Sequence, residues 1–185
     1  MSRAAHLSGQ KYFAAIGDSK SATPAECWQY PFINFMEGRT RNNWSVGFNH
    51  AVAGWTVANA VSGLSTALAA NSLTVDYAFI DLGSNDSQSL PAQATFESNY
   101  ASILDQLHTK WPSAIIKVAQ VYRSTQIANC ATINGWIDNV LVTRVWSTVA
   151  FSESDWLPSW TLDGTHPDTR IGGYAEMARR WFAAL

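Results

Sequence analysis

The sequence predicts an α/β domain of three layers, with a central parallel sheet of about five strands covered by helices on both faces. Three observations predict it. Short β-rich runs alternate with longer helix-like runs along the whole chain. The run "DYAFIDL" (76–82) has the near-continuous apolar character of a strand buried on both sides. No internal repeat, low-complexity tract or linker interrupts the alternation, so residues 1–185 are expected to form one domain.

The elements follow in order. "KYFAAI" (11–16) reads as the first strand, and a first helix is expected within "TPAECWQYPFINFMEG" (23–38), bent or divided at Pro31. "WSVGFNHAV" (44–52) reads as the second strand and "TVANAVSGLSTALAAN" (56–71) as one Ala-rich helix. After the central strand, "PAQATFESNYASILDQLHTKW" (91–111) is a long amphipathic helix that opens with proline. "AIIKVAQVY" (114–122) is a fourth strand, "ATINGWIDNVLVTRVW" (131–146) a helix, "STVAF" (147–151) a last short strand and "RIGGYAEMARRWFAA" (170–184) a closing helix.

A chain of 185 residues buries roughly 70% of the surface that its unfolded form exposes, enough for a substantial core. With 47% hydrophobic and 14% charged residues, a net charge of −2 and no basic run, neither disorder nor electrostatic nucleic-acid binding is expected. No apolar stretch approaches the roughly 18 residues of a membrane span, and "MSRAAHLSGQ" lacks the apolar centre of a signal peptide, so a soluble protein is expected. Cys27 and Cys130 are too few for a disulfide framework and lack the spacing of a metal or redox motif; separate buried thiols are the expectation, with a single bridge as the alternative.

In a parallel sheet the residues just past the strands' carboxyl ends share one rim, where ligands bind. Here the rim carries "GDSK", "AGWT", "GSND", "RSTQ" and "TLDGTHP". A serine hydroxyl is a poor nucleophile unless a base takes its proton and an acid orients the base. Asp163 and His166, three apart in a loop, can supply both to Ser19. An oxygen that turns negative during attack needs donors already in place, and three are available: the backbone N–H groups of Ser19 and Gly54, and the side-chain amide of Asn85. Glycine at 54 also lets backbone approach a ligand closely.

These blocks carry a resemblance. "IGDSK", "NHAVAGWT", "LGSND" and "DGTHPDTRIGGYAEMA" occur in order over nearly the whole chain, which resembles an SGNH hydrolase of the GDSL esterase and lipase superfamily. The resemblance implies a flavodoxin-like sheet and hydrolysis of carboxylic esters or thioesters through an acyl-enzyme, without metal or cofactor. It implies Ser19 as nucleophile and oxyanion donor, Gly54 and Asn85 as further donors, His166 as base and then acid, and Asp163 as its orienting carboxylate. Asn49, Asp18 and Asp86 match residues expected to brace the loops.

There are departures from the family pattern: Lys20 replaces the usual aliphatic residue, Ala51 a frequent glycine, and Trp55 a smaller residue. Lys20 is expected either to favour anionic or polar substrates or to be a solvated helix charge, and Trp55 either to wall the pocket or to pack. Arg123 could hold a polar group of the substrate or be a plain surface charge. Of the nine tryptophans, Trp111 and Trp181 are expected to pack helices, whereas Trp156 and Trp160, just before the loop of His166, are expected either to line an acyl pocket or stack on a sugar, or to pack. His6, His50 and His108 are expected to be structural or exposed.

The expected substrate is therefore a small-molecule or carbohydrate acyl ester, with short acyl groups preferred. A lipase or thioesterase of the same family is the alternative, and a catalytically silent binding module the alternative of another class.

Overall fold

The computed structural model describes residues 9–24, 26–152, 156 and 158–185. Five strands, β1 (Gln10–Gly17), β2 (Asn43–Ala51), β3 (Tyr77–Asp81), β4 (Ile115–Ala119) and β5 (Ser147–Phe151), form one parallel sheet in the order β2-β1-β3-β4-β5. Chain direction across the sheet reverses at β1. The loop after β1 therefore emerges between the loops after β2 and β3, since Gly17 pairs with Ala51 on one side and Asp81 on the other. That crevice is where open α/β sheets place their ligands.

Helices α2 (Val57–Val61), α3 (Leu64–Ala70), α4 (Gln93–Lys110) and α5 (Ile127–Val142) cover one face, packing on Ala14, Ile16, Ala78, Ile80, Ile116 and Val118. Helices α1 (Gln29–Thr40) and α6 (Gly173–Ala183) cover the other. There Phe32 meets Phe13 and Phe79 with ring centroids 5.1 and 4.9 Å apart, and Trp181 meets Phe79 at 5.0 Å. Burying each such ring contributes about 1.5–3 kcal/mol, so this aromatic cluster fixes both helices to the sheet. Cys27 lies in this layer and Cys130 in the opposite one; both are buried thiols, and the sheet between them precludes a disulfide. Among the described residues no helix is long and apolar enough to cross a membrane.

Several boundaries differ from expectation, each for a local reason. Helix α1 starts at Gln29 rather than near 23, which puts Pro31 in the first turn, where its missing N–H costs nothing. The Ala-rich stretch is two helices because Gly63 adopts φ +87° and breaks it. Strand β4 ends at Ala119 because Asn134 of α5 takes over the backbone of Val121, its Oδ1 accepting from the N–H and its Nδ2 donating to the C=O at 2.7 and 3.0 Å. The helix expected at 131–146 begins at Ile127 and ends at Val142, since the turn Ser124–Gln126 winds directly into it. Trp146, left outside, stacks on His108 at 4.4 Å. Helix α6 begins at Gly173, after a 3₁₀ turn Thr169–Ile171 closed by Gly172 at φ +78°.

Candidate active site

Past β1 the chain turns tightly, with Ser21 N–H donating to the Asp18 carbonyl at 3.0 Å. A side chain at Gly17 would stand 2.8 Å from Ser21 Cβ, so the turn needs glycine there. Ser19 sits at its apex with its Oγ 2.7 Å from His166 Nε2. On the far side of the ring, Nδ1 lies 2.7 Å from Asp163 Oδ2. A carboxylate accepting from Nδ1–H leaves the Nε2 lone pair facing the serine hydroxyl, the tautomer that proton abstraction requires.

The loop of His166 is held from within and from outside. Asp163 Oδ1 accepts the backbone N–H groups of Thr165 and His166 at 3.0 and 2.8 Å. Partial burial pushes the Asp163 carboxyl up, but these bonds and the ring together hold it down at about 2. Gly164, at φ +79°, lies where any side chain would strike Ser124 Oγ, and its carbonyl accepts the Ser124 N–H at 2.8 Å. Ser124 thus clips this loop to the one after β4.

The other rim loops are stitched to the nucleophile's turn. Asn85 Nδ2 donates to the Trp55 carbonyl at 2.9 Å, while its Oδ1 accepts from Gln88 Nε2 at 3.3 Å and, at a long 3.4 Å, from Arg123 Nη2. Both ends of the amide are anchored, and one N–H stays available. The backbone N–H groups of Ser19 and Gly54 make no hydrogen bond among the described residues, and Gly54 has φ +83°. Asp86 Oδ2 accepts the Val57 N–H at 3.0 Å and so ties the start of α2, just beyond Gly54, to the loop of Asn85; burial pushes its carboxyl up to about 6. Asn49 Nδ2 donates to the carbonyls of Ser21 and Ala22 at 3.2 and 3.3 Å.

The structure corrects one expectation about this rim, for Lys20, and decides between the two alternatives for Trp156 in favour of packing. Lys20 is neither a solvated charge nor a substrate contact: it is wholly buried, with its Nζ 3.0 Å from each Asp18 oxygen and 2.7 Å from Ser84 Oγ. Trp156 is 4% exposed, donates its indole N–H to the Gln120 carbonyl at 3.1 Å and stacks on Tyr122, so it offers no face to a sugar. Trp160 remains partly exposed, but the Arg180 guanidinium lies over its ring at 5.2 Å. Trp55 is half-buried, edge-on to His50. Arg123 is also half-buried, and its Nε has no hydrogen-bond partner among the described residues. His50 Nε2 is bonded to the Ala60 carbonyl, and His6 lies outside the described residues.

Sequence reasoning missed Ser84 and Asp81. A signal was present: an acid ends the apolar run "AFID", and a lysine stands in the neighbouring strand's buried turn. Asp81 is buried, both its oxygens lack hydrogen-bond partners among the described residues, and Lys20 Nζ stands 3.6 Å away. Burial pushes its carboxyl up and Lys20 pulls it back, leaving it at about 7. Burial also pushes the Lys20 ammonium down, but Asp18 and Asp81 outweigh it and hold it above its usual value.

A carboxyl raised in the folded state lowers stability as pH climbs from its unfolded value of about 3.9 through its folded one, and the cost persists above. Asp81→Asn should therefore raise Tm at pH 8 by at least about 2–4 °C, the equivalent of about 1 kcal/mol at this chain length, with no gain at pH 4. Thermal unfolding at the two pH values checks this; an unchanged Tm at pH 8 would contradict it.

A groove of about 770 Å³ between α3 and α4, lined by Leu68, Ser98, Ser102, Asp105 and Gln106 among others, takes no residue from the rim loops. The rim, not this groove, carries groups that can react.

Residues 15–172 match the GDSL-like lipase/acylhydrolase family. The chain belongs to that family. Membership makes it a carboxylic ester hydrolase, in keeping with a serine, histidine and aspartate hydrogen-bonded in series. No curated protein matches it by sequence. Solved structures similar to this hydrolase include the acetylxylan esterase Axe2 from Geobacillus stearothermophilus, 13% identical over 97% of this chain and 95% of that one, with a TM-score of 0.76. A family 3 carbohydrate esterase from Clostridium thermocellum is 15% identical over 94% of each chain, with a TM-score of 0.73. The lipase Lip_vut3 from a goat rumen metagenome is 17% identical over 94% and 97%, with a TM-score of 0.72. At these identities the likeness establishes the shared fold.

Proposed function

We propose that this hydrolase cleaves small acyl esters through an acyl-enzyme on Ser19, with O-acetyl groups on carbohydrate as the preferred class. The observation that carries the reading is the unbroken chain from Ser19 Oγ through the His166 ring to Asp163, 2.7 Å at each step. In the first step His166 Nε2 takes the hydroxyl proton as Oγ attacks the carbonyl carbon. The resulting oxyanion is met by the N–H groups of Ser19 and Gly54 and by the free N–H of Asn85. The tetrahedral intermediate collapses as His166 returns the proton to the leaving alcohol, which leaves Ser19 acylated. Water, deprotonated by the same nitrogen, then releases the acid and restores the hydroxyl. Each step uses groups of this chain and a water molecule only, so activity in EDTA is expected.

The preference for short acyl groups rests on the rim. The connections carrying Ser19, Gly54 and Asn85 are short, running 18–28, 52–56 and 82–92, which favours a small acyl group at Ser19. Two of the similar structures are named as an acetylxylan esterase and a carbohydrate esterase. Trp55 and Arg123 are the proposed substrate-facing side chains, because both are half-buried beside Asn85. A series of p-nitrophenyl esters of increasing acyl length, run beside acetylated xylan oligosaccharides, checks the substrate. Highest kcat/KM on acetate with acetate release from the oligosaccharides is expected; strong preference for long chains would replace this reading with a lipase or thioesterase.

A further inference from the structure

Both residues flanking Ser19 reach the same partner. Asp18 Oδ2 accepts the Ser84 hydroxyl proton at 2.6 Å, and Lys20 Nζ donates to Ser84 Oγ at 2.7 Å. Ser84 immediately precedes Asn85, so these bonds join the turn that carries Ser19 to the one that carries the amide donor. All three side chains are sealed from solvent, at 0–1% exposure. Within the first turn, Asp18 Oδ1 also accepts the Lys20 backbone N–H at 3.0 Å, which closes a ring of bonds around Ser19. Buried polar networks of this kind, once fully satisfied, permit a single arrangement of the backbone that bears them.

We infer that Lys20 is a positioning residue for ester cleavage: its buried ammonium, with Asp18, locks Ser84 and thereby sets the spacing between Ser19 and Asn85. Lys20 touches no substrate and moves no proton in the reaction. Its ammonium lies 3.0 Å from the carboxylate of Asp18 and 3.6 Å from that of Asp81, both buried, and a neutral side chain there would deprive both of that partner. The inference rests on the reading of Ser19 and Asn85 given above. Because it concerns the geometry of oxyanion stabilisation, its loss must appear in the chemical step and not in substrate binding.

The test compares Ser84→Ala, Lys20→Met and Ser19→Ala with the unaltered chain, measuring Tm, kcat and KM on p-nitrophenyl acetate and the rate of labelling by a fluorophosphonate. Ser84→Ala removes one hydroxyl, keeps the Lys20–Asp18 pair and is the decisive variant. It should lower kcat by about 10- to 100-fold, the cost of displacing a reacting group by a fraction of an ångström or more. KM should stay within about twofold, and labelling should slow in parallel with kcat. Folded Lys20→Met should lose about 100-fold or more on the same pattern; if it does not fold, Ser84→Ala decides alone. Folded Ser84→Ala with kcat within about twofold of the unaltered chain, or with its loss confined to KM, overturns the inference. Full activity in Ser19→Ala would instead remove the nucleophile on which it rests.

Discussion

Ser19→Ala should lower kcat by about 10⁴- to 10⁶-fold while leaving the protein folded with an unchanged Tm. The magnitude follows from what the hydroxyl does. In the proposed mechanism it alone forms the covalent bond to the acyl group, and no other nucleophile is hydrogen-bonded to His166 Nε2 among the described residues. The oxyanion donors and the binding rim survive the substitution, and in serine hydrolases those remnants still leave roughly 10³- to 10⁴-fold over water. Folding should tolerate the change because, among the described residues, the Ser19 side chain bonds only to the half-exposed ring of His166, while the turn is held by Asp18, Lys20 and Ser21. Steady-state hydrolysis of p-nitrophenyl acetate with thermal unfolding on the same sample checks both halves of the expectation.

His166→Ala should lose nearly as much, and the double variant no more than either single one, because base and nucleophile act as a unit. Its ring is the one acceptor that the Ser19 hydroxyl meets among the described residues, and in the proposed mechanism it returns that proton to the leaving alcohol. The unaltered enzyme should gain kcat/KM as pH rises, since only neutral imidazole can accept a proton. Asp163, held at about 2, stays charged throughout and adds no second step to the rise. The pH profile of kcat/KM checks this, and activity that falls as pH rises from the acid side would contradict the base assignment. Asp163→Asn should lose less than His166→Ala, because the amide leaves the ring in place and costs mainly the correct tautomer.

Much of this site was legible in the sequence because its groups sit where strands end. An apolar run that stops at a glycine marks the C-terminal edge of a parallel strand, so "IGDS" and "LGSN" could be placed on a common rim before any contact was known. The Asp163–His166 spacing also carried its geometry, since one turn between them suffices. What could not be read was the environment of groups decided by long-range packing. Lys20 looked solvated because charge is normally excluded from cores, yet two acids from different strand ends, Asp18 and Asp81, make it a buried ion. Trp156 looked available to substrate because it lies in a loop, but Tyr122 and Phe151 enclose it from elsewhere in the chain. The break at Gly63 was equally hidden, because a glycine within an Ala-rich run reads as helix until its φ is known.

The most direct test of Ser19 as the nucleophile is to label the folded protein with a fluorophosphonate and locate the adduct by peptide mass spectrometry. A single phosphonyl group on the peptide containing Ser19, lost in Ser19→Ala, is the expected result. An adduct on any other residue, or none on folded and otherwise intact protein, would contradict it.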